Sequence, residues 1–127
     1  MIQGSITALI TPFDENNEID YNEFHKLLDY QIENKTDGVL LLGTTAEAES
    51  LSDEEKVNLV KDSISYINHK MKIIIGIISN QTEETIRLAS LFESLDFDAY
   101  LVITPYYIKT NVSGLLKHFT YIADKVT

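Results

Sequence analysis

The sequence predicts an α/β fold built on a parallel sheet. Four short apolar runs are each followed by a stretch with apolar residues at helical spacing. This strand–helix unit recurs at intervals of roughly 30 residues, the usual length of a βαβ unit. The runs are apolar at consecutive positions, which is typical of strands covered on both faces. We therefore expect four parallel strands joined by right-handed helical crossovers.

The first unit begins with the β-favouring run Ser5–Ile10. Thr11-Pro12 ends the run, because proline has no N–H to donate to a central strand ladder. Asp20 is predicted to cap the following helix, since Glu23 stands three residues later, as in a capping box. The apolar face of this helix repeats at steps of three and four residues and comprises Phe24, Leu27, Leu28 and Ile32.

The second unit carries the first candidate site. Val39–Leu42 is an apolar run too short for a helix, and Gly43 ends it. Thr44 and Thr45 then place two hydroxyls and two backbone N–H groups just after the carboxyl end of the strand. Parallel α/β folds bind their ligands at such loops.

The following elements continue the same pattern. Ser52 and Glu55 predict a capping box at the start of the second helix, whose apolar face comprises Val57, Val60, Ile64 and Ile67. Lys72–Gly76 is the third strand, and the third helix is expected to start at Asn80 or Thr82. The apolar face of that helix comprises Ile86, Leu88, Ala89, Phe92 and Leu95.

The fourth unit contains an aromatic loop. Ala99–Ile103 is the last strand, and Thr104-Pro105-Tyr106-Tyr107 follows it directly. A final amphipathic helix is predicted, with an apolar face of Leu115, Leu116, Phe119, Ile122 and Val126.

The composition excludes several classes of function. The net charge of −10 argues against nucleic acid or an anionic membrane as a partner. The sequence has no cysteine, which excludes disulfide and thiolate chemistry. No apolar run approaches the ~20 residues of a membrane span, and the first residues resemble no signal peptide, so we expect a cytoplasmic protein.

Two architectures fit four strand–helix units. A doubly wound sheet of flavodoxin type matches the length of 127 residues. A (β/α)₈ barrel needs about 250 residues, so the chain would form half of one. The loops do not support the doubly wound alternative, because no paired acids follow the first strand and no glycine-rich dinucleotide turn is present.

Three loop motifs carry a family resemblance. Thr11-Pro12-Phe13, Gly43-Thr44-Thr45 with Glu47, and Thr104-Pro105-Tyr106-Tyr107 each follow a predicted strand. In this order and spacing they resemble the dihydrodipicolinate synthase and N-acetylneuraminate lyase family over residues 1–127. The resemblance is strongest to the synthase branch. It implies that the chain is one domain, the first four βα units of a TIM barrel, from a pyruvate-dependent Schiff-base aldolase that uses neither metal nor cofactor.

The resemblance also assigns roles to individual residues. Thr44 and Thr45 bind the carboxylate of pyruvate, and Thr44 is in addition the middle member of a proton relay. Tyr107 completes the relay of a neighbouring subunit, which implies a homo-oligomer. A hydroxyl can both donate and accept, so such a chain of hydroxyls can move the protons of imine formation. Glu47 has a structural explanation, because an acid is favourable at the start of a helix.

Two departures from the family pattern affect the site. Ala46 stands where relatives usually have glycine, which matters only if the backbone there needs a positive φ. Ile108-Lys109-Thr110 follows Tyr107 in place of the usual asparagine and proline. The second departure leaves the reaction open between condensation of pyruvate with aspartate semialdehyde and that of a related pyruvate lyase, which acts on N-acetylneuraminate or a 2-keto-3-deoxy sugar acid.

A regulatory pocket is also implied by the resemblance. Asn80, Glu84 and Tyr106 match the residues that bind lysine in the inhibited branch of the family. Lys56 stands where inhibited members have histidine or glutamate. A fixed cation beside a cationic ligand is repulsive, so we expect weak inhibition by lysine.

The family's Schiff-base lysine belongs to the sixth strand, which these residues do not include. No lysine here is expected at the carboxyl end of a strand, and Lys72 starts its strand. The 127-residue chain alone is therefore predicted to be inactive. The alternative hypothesis is a non-catalytic half-barrel or assembly module.

Two further expectations concern side chains outside the candidate sites. His25, His69 and His118 have no partners at ligand spacing and are predicted to lie at the surface without a metal. A half-barrel also leaves the inner face of its sheet uncovered, which predicts exposure of Ile6, Ala8, Leu40 and Ile74.

Overall fold

Four parallel strands form one sheet, in the same order as they occur along the chain. A computed structural model describes residues 2–126 of the protein. The elements are β1 (Ile6–Ala8), α1 (Tyr21–Glu33), β2 (Gly38–Leu41), α2 (Asp53–Ile67), β3 (Lys72–Ile77), α3 (Thr82–Ser90), β4 (Ala99–Val102) and α4 (Val112–Ala123). Two short 3₁₀ turns, Thr44–Ala46 and Ala48–Ser50, lie between β2 and α2.

The sheet order distinguishes the two predicted architectures. In a doubly wound sheet the order reverses at a switch point, whereas the order here is β1-β2-β3-β4. The register aligns Ala8 with Leu40, Leu40 with Ile74 and Ile74 with Ala99. The arrangement is that of the first four βα units of a (β/α)₈ barrel, as predicted.

The helices cover one face of the sheet and form the core there. The central strands contribute Val39, Leu41, Ile73, Ile75 and Ile77 to this core, and the helical layer contributes Phe24, Leu28, Leu59, Val60 and Phe92. Val39 and Ile75 are completely buried. Along each strand these core residues alternate with residues that face the opposite side of the sheet, as the pleat of a strand requires.

The opposite face is largely uncovered, as predicted. Ile6 is 41% exposed, and Ile10 and Leu101 are 51% and 46% exposed. Ala8 is also exposed, and Leu40 is half-buried. The prediction is wrong for Ile74, which is only 6% exposed, and whose Cδ1 lies against Gly38 of the neighbouring strand, a residue with no side chain.

The predicted starts of α1 and α2 agree with the structure, and α3 starts at the second of its two predicted alternatives. Asp20 accepts a hydrogen bond from the N–H of Glu23 at 3.0 Å and caps α1. The capping box of α2 is complete, since Ser52 and Glu55 bind each other's backbone N–H groups. The start of α3 is Thr82, after Gln81 as its N-cap, so the alternative start at Asn80 is wrong.

The bounds of all four strands differ from the prediction. β2 is Gly38–Leu41 instead of Val39–Leu42, because Gly38 pairs with Ile6 and Lys72 and the positive φ of Leu42 ends the strand. β1 is Ile6–Ala8 instead of Ser5–Ile10, and β4 ends at Val102 instead of Ile103. β3 extends one residue further, to Ile77. β1 and β4 are the edge strands of the sheet, where one side of the ladder is missing and the strands end early.

The predictions for α4 and for the histidines need correction. α4 buries His118 and Ile122, whereas Leu116 is 68% exposed. His118 is therefore a buried residue and not a surface residue. His25 is half-buried, donates to Asp62 at 2.7 Å and stacks on the Tyr66 ring. Only His69 is exposed as predicted.

Candidate functional site

The candidate site lies at the carboxyl edge of the sheet. Because the strands are parallel, the segments that follow them meet at one edge. These segments include Thr11-Pro12, Gly43 to Glu47, Ser79-Asn80 and Thr104 to Tyr107. The fold therefore brings every predicted site residue to the same end of the half-barrel.

Thr44 and Thr45 open the first 3₁₀ turn and face solvent. Gly43 and Ala46 on either side of them are buried, which fixes the turn to the core. The turn is closed by two hydrogen bonds, from Ala46 N–H to the Gly43 carbonyl at 3.0 Å and from Glu47 N–H to the Thr44 carbonyl at 3.2 Å. Within residues 2–126 no backbone hydrogen bond outside the regular elements uses the N–H of Thr44 or Thr45. Two N–H groups and two hydroxyls are thus available to an anion.

The backbone of this loop adopts a rare conformation at both of its ends. Leu42 has a φ of 55° and Glu47 has a φ of 53°, both in the left-handed region. A residue other than glycine in that region costs of the order of 1–3 kcal/mol and is common at functional sites. Ala46 is not among the residues with positive φ, so its β-carbon causes no strain. The conformation that favours glycine occurs one residue later, at Glu47.

Gly76 of β3 allows the neighbouring strand end to approach closely. A β-carbon at this position would lie 2.7 Å from the Leu42 carbonyl oxygen and 3.0 Å from the Gly43 Cα. The sequence-based prediction used Gly76 only as a strand end and missed this role. The signal was present, since a glycine inside an apolar strand often marks a close backbone contact.

Tyr107 projects away from its own chain. It has a φ of 67° and its side chain is 99% exposed. A ring so exposed touches almost nothing in this chain, Thr44 included. Ile108 next to it is 54% exposed. The structure therefore does not bring Tyr107 together with Thr44 inside one chain.

The residues of the predicted regulatory pocket do come together. Asn80, Glu84 and Tyr106 line one cavity of about 490 Å³, and Lys56 lies in the same lining. The other charged residues of the lining are Glu49, Asp53 and Arg87.

Arg87 organises the charges of this cavity. Its guanidinium binds Asp53 of α2 at 2.6 Å and Glu84 of its own helix at 2.7 Å. These hydrogen bonds hold the pKa of both carboxyl groups below the usual value. Glu84 is thus a carboxylate with a fixed cation partner, and it joins α3 to α2 through Arg87.

Among residues 2–126, Lys72 is the one lysine that belongs to a strand, whereas Lys56 on α2 and Lys109 in the segment after β4 lie near the carboxyl edge outside the strands. Lys72 starts β3 at the opposite edge and pairs with Asp98 at 2.6 Å. Among residues 2–126, no three His, Asp or Glu side chains are close enough to hold a metal ion. No helix in that range is long and apolar enough to span a membrane.

Four parallel βα units in sequential order, with hydroxyl-bearing loops at the carboxyl edge, define half of a TIM-barrel domain with its ligand-binding end. The comparison with known proteins gives the family. The chain belongs to the dihydrodipicolinate synthetase family, whose model matches residues 1–127.

Curated relatives match the chain over nearly all of its length. It is 40% identical to the 4-hydroxy-tetrahydrodipicolinate synthase of Coxiella burnetii over 126 residues, which are 99% of this chain and 44% of the relative. It is 41% identical to the synthase of the same name from Clostridium perfringens, again over 126 residues, 99% of this chain and 43% of the relative. The chain thus spans less than half the length of these relatives and matches their N-terminal half.

Solved structures confirm the half-barrel. The synthase of Methylacidiphilum fumariolicum superposes with a TM-score of 0.92 at 40% identity, covering 99% of this chain and 42% of that one. The chloride-inhibited synthase of Acinetobacter baumannii, solved with pyruvate, gives a TM-score of 0.93 at 39% identity, with coverages of 99% and 43%. A monomeric dihydrodipicolinate synthase variant also matches, with a TM-score of 0.93 at 35% identity and coverages of 99% and 42%.

Proposed function

We propose that these residues form the N-terminal half of a pyruvate-dependent class I aldolase, a 4-hydroxy-tetrahydrodipicolinate synthase. The observation that carries the proposal is the Gly43-Thr44-Thr45 turn at the carboxyl edge of the sheet, in a chain that belongs to this family. Its free N–H groups and hydroxyls suit the carboxylate of pyruvate.

The proposed reaction begins with a lysine amine that lies outside these residues. The amine attacks the keto carbon of pyruvate, water leaves, and an imine forms. The imine then loses a methyl proton to give an enamine, which forms a carbon–carbon bond with the aldehyde. Thr44 holds the carboxylate and passes protons, and Tyr107 of one subunit completes the relay of another.

The extreme exposure of Tyr107 supports this exchange between subunits, because the ring is free to reach a neighbour. A homo-oligomer located in the cytoplasm is part of the proposal. The cavity lined by Asn80, Glu84 and Tyr106 is proposed to bind an amino-acid effector, with Glu84 facing its ammonium group. Lys56 in the same lining repels a second positive charge on that effector.

Aspartate semialdehyde is the proposed aldehyde, because the curated relatives from Coxiella burnetii and Clostridium perfringens are named as synthases and not as sugar-acid lyases. The test is a steady-state assay of the protein expressed from its whole gene. Condensation of pyruvate with aspartate semialdehyde is expected. If the protein instead cleaves N-acetylneuraminate or a 2-keto-3-deoxy sugar acid and does not catalyse the condensation, the proposal is wrong and the protein is a sugar-acid lyase. Inactivity with all of these substrates would favour the non-catalytic assembly module.

A further inference from the structure

His118 is the buried histidine that the site described above does not use. It lies on α4 and is only 5% exposed. Its Nδ1 is 2.9 Å from the Thr82 hydroxyl, and its Nε2 is 3.4 Å from the Ile103 carbonyl oxygen. A carbonyl can only accept, so Nε2–H donates to Ile103, and in that tautomer Nδ1 accepts from the Thr82 hydroxyl.

The two partners of His118 belong to two different parts of the site. Thr82 is the first residue of α3, the helix that carries Glu84. Ile103 follows β4 and precedes the segment of Tyr106 and Tyr107. His118 therefore connects the helix that carries Glu84 with the strand end that leads to Tyr106, and these two residues line one cavity.

The segment from residue 104 to residue 110 has few other restraints. Within residues 2–126 no backbone hydrogen bond joins it to another part of the chain. At its far end Asn111 caps α4 by accepting from Gly114 N–H at 2.8 Å. At its near end His118 binds Ile103. Both restraints come from α4, and His118 supplies the one next to the tyrosines.

We propose that His118 is a positioning residue that sets where Tyr106 and Tyr107 lie relative to α3. It acts through the Ile103 carbonyl and touches no reacting atom. The effect on turnover rests on the proposed function, since Tyr107 is catalytic only if the protein is an aldolase. The effect on the segment itself does not depend on that function.

Two variants separate the two hydrogen bonds of the ring. In His118→Gln the side-chain amide reaches the position of Nε2 and can still donate to Ile103. In His118→Asn the shorter amide keeps a polar group near Thr82 and loses the bond to Ile103. Both variants lose the same imidazole, so a general packing defect would affect them alike. His69→Asn, at an exposed histidine, is the matched control.

The experiment measures the initial rate of chymotryptic cleavage after Tyr106 and Tyr107, and kcat and KM for pyruvate, in the protein expressed from its whole gene. Cleavage of an exposed segment speeds up when a restraint on it is lost, so we expect about tenfold faster cleavage and a similar fall in kcat in His118→Asn, the usual size for one hydrogen bond. KM for pyruvate should stay unchanged, and His118→Gln should restore both quantities.

Equal effects in the two variants, or an unchanged cleavage rate in His118→Asn, would overturn the inference. If the Asn variant does not fold, the Gln variant decides: a cleavage rate like that of the unmodified protein supports the inference, and faster cleavage overturns it. If the unmodified protein has no aldolase activity, the proposed function fails, while the cleavage rate still tests the positioning role.

Discussion

Gly76 and Leu42 approach each other backbone to backbone at the carboxyl edge of the sheet. A β-carbon on Gly76 would lie 2.7 Å from the Leu42 carbonyl oxygen, closer than any ordinary contact. Leu42 itself has a positive φ, and the Gly43-Thr44-Thr45 turn starts at the next residue. The position of the Gly43-Thr44-Thr45 turn therefore depends on the absence of a side chain at Gly76 of the neighbouring strand.

Gly76→Ala should displace the Leu42–Gly43 backbone and with it Thr44 and Thr45. We expect a loss of stability of about 1–3 kcal/mol from overpacking. KM for pyruvate should rise as well, because the turn that we propose to hold the carboxylate moves. Gly38→Ala is the control, since its β-carbon would meet Lys72 at 3.1 Å at the opposite edge of the sheet. An unchanged KM in Gly76→Ala, together with the predicted loss of stability, would show that Gly76 contributes to stability and not to pyruvate binding.

Thr44→Val removes a hydroxyl at nearly constant shape. Because the Thr44 side chain faces solvent, the fold and the thermal midpoint should hardly change. A relay hydroxyl contributes on the order of 10²–10⁴ in rate, so kcat should fall by that factor. Thr120→Val, at an exposed position of α4, controls for the loss of any surface hydroxyl. Normal turnover in Thr44→Val would show that the Thr44 hydroxyl is not part of the proposed proton relay.

Lys56 and Glu84 line the same cavity, so the charge at position 56 should control the response to L-lysine. We predict weak or absent inhibition of the unmodified protein and partial recovery of inhibition in Lys56→His. A like charge weakens binding by a kcal/mol or more, and each 1.4 kcal/mol is about tenfold in affinity. Lys61→His, on an exposed position of the same helix, should leave inhibition unchanged. Strong inhibition of the unmodified protein at sub-millimolar lysine contradicts this prediction.

The bonds from Arg87 to Asp53 and Glu84 give the stability a specific pH dependence. Both carboxyl groups have a lowered pKa in the folded protein, so their contribution is complete above the unfolded pKa of about 4. It is lost as the pH falls through the lower folded values. Arg87→Gln should therefore be less stable at pH 7, by about 1 kcal/mol or less for such exposed pairs. The difference should shrink below about pH 4.

Denaturant unfolding from pH 7 to pH 2.5, as a roughly even series of buffers, measures this dependence. Lys26→Gln breaks the exposed pair with Glu23 inside α1 and serves as the control. A difference between Arg87→Gln and the unmodified protein that stays constant down to the lowest pH would show that the two carboxylates do not carry the effect.

Sequence signals predicted the helices and strands well where the deciding interactions join residues close together in the sequence. The Ser52–Glu55 capping box depends on residues three positions apart, and it is present as predicted. The start of α3 was ambiguous for a related reason: Asn80 and Thr82 are both cap-forming residues, but Gln81 is the N-cap and makes no side-chain cap bond. The edge strands β1 and β4 end early because each lacks a neighbour on one side. The residues of a strand do not show whether it lies at an edge, so its predicted bounds were too long.

The misses in the site have a non-local cause. His118 fits the polar side of an amphipathic pattern, and only its contacts with Thr82 and Ile103, 36 and 15 residues away, explain its burial. The same holds for Gly76, whose role depends on the conformation of Leu42. The three loop motifs were sufficient to predict the family. Their common location could be predicted too, because the carboxyl ends of parallel strands lie at one edge of the sheet.

The central claim is that these residues belong to a Schiff-base aldolase whose lysine lies outside them. The most direct measurement is treatment of the protein expressed from its whole gene with pyruvate and borohydride, followed by digestion and mass spectrometry. The account predicts one reduced pyruvate adduct, on a lysine that is not among residues 1–127, and no adduct on the 127-residue chain alone. A pyruvate adduct on any lysine of this chain, or no adduct anywhere in the whole protein, would contradict it.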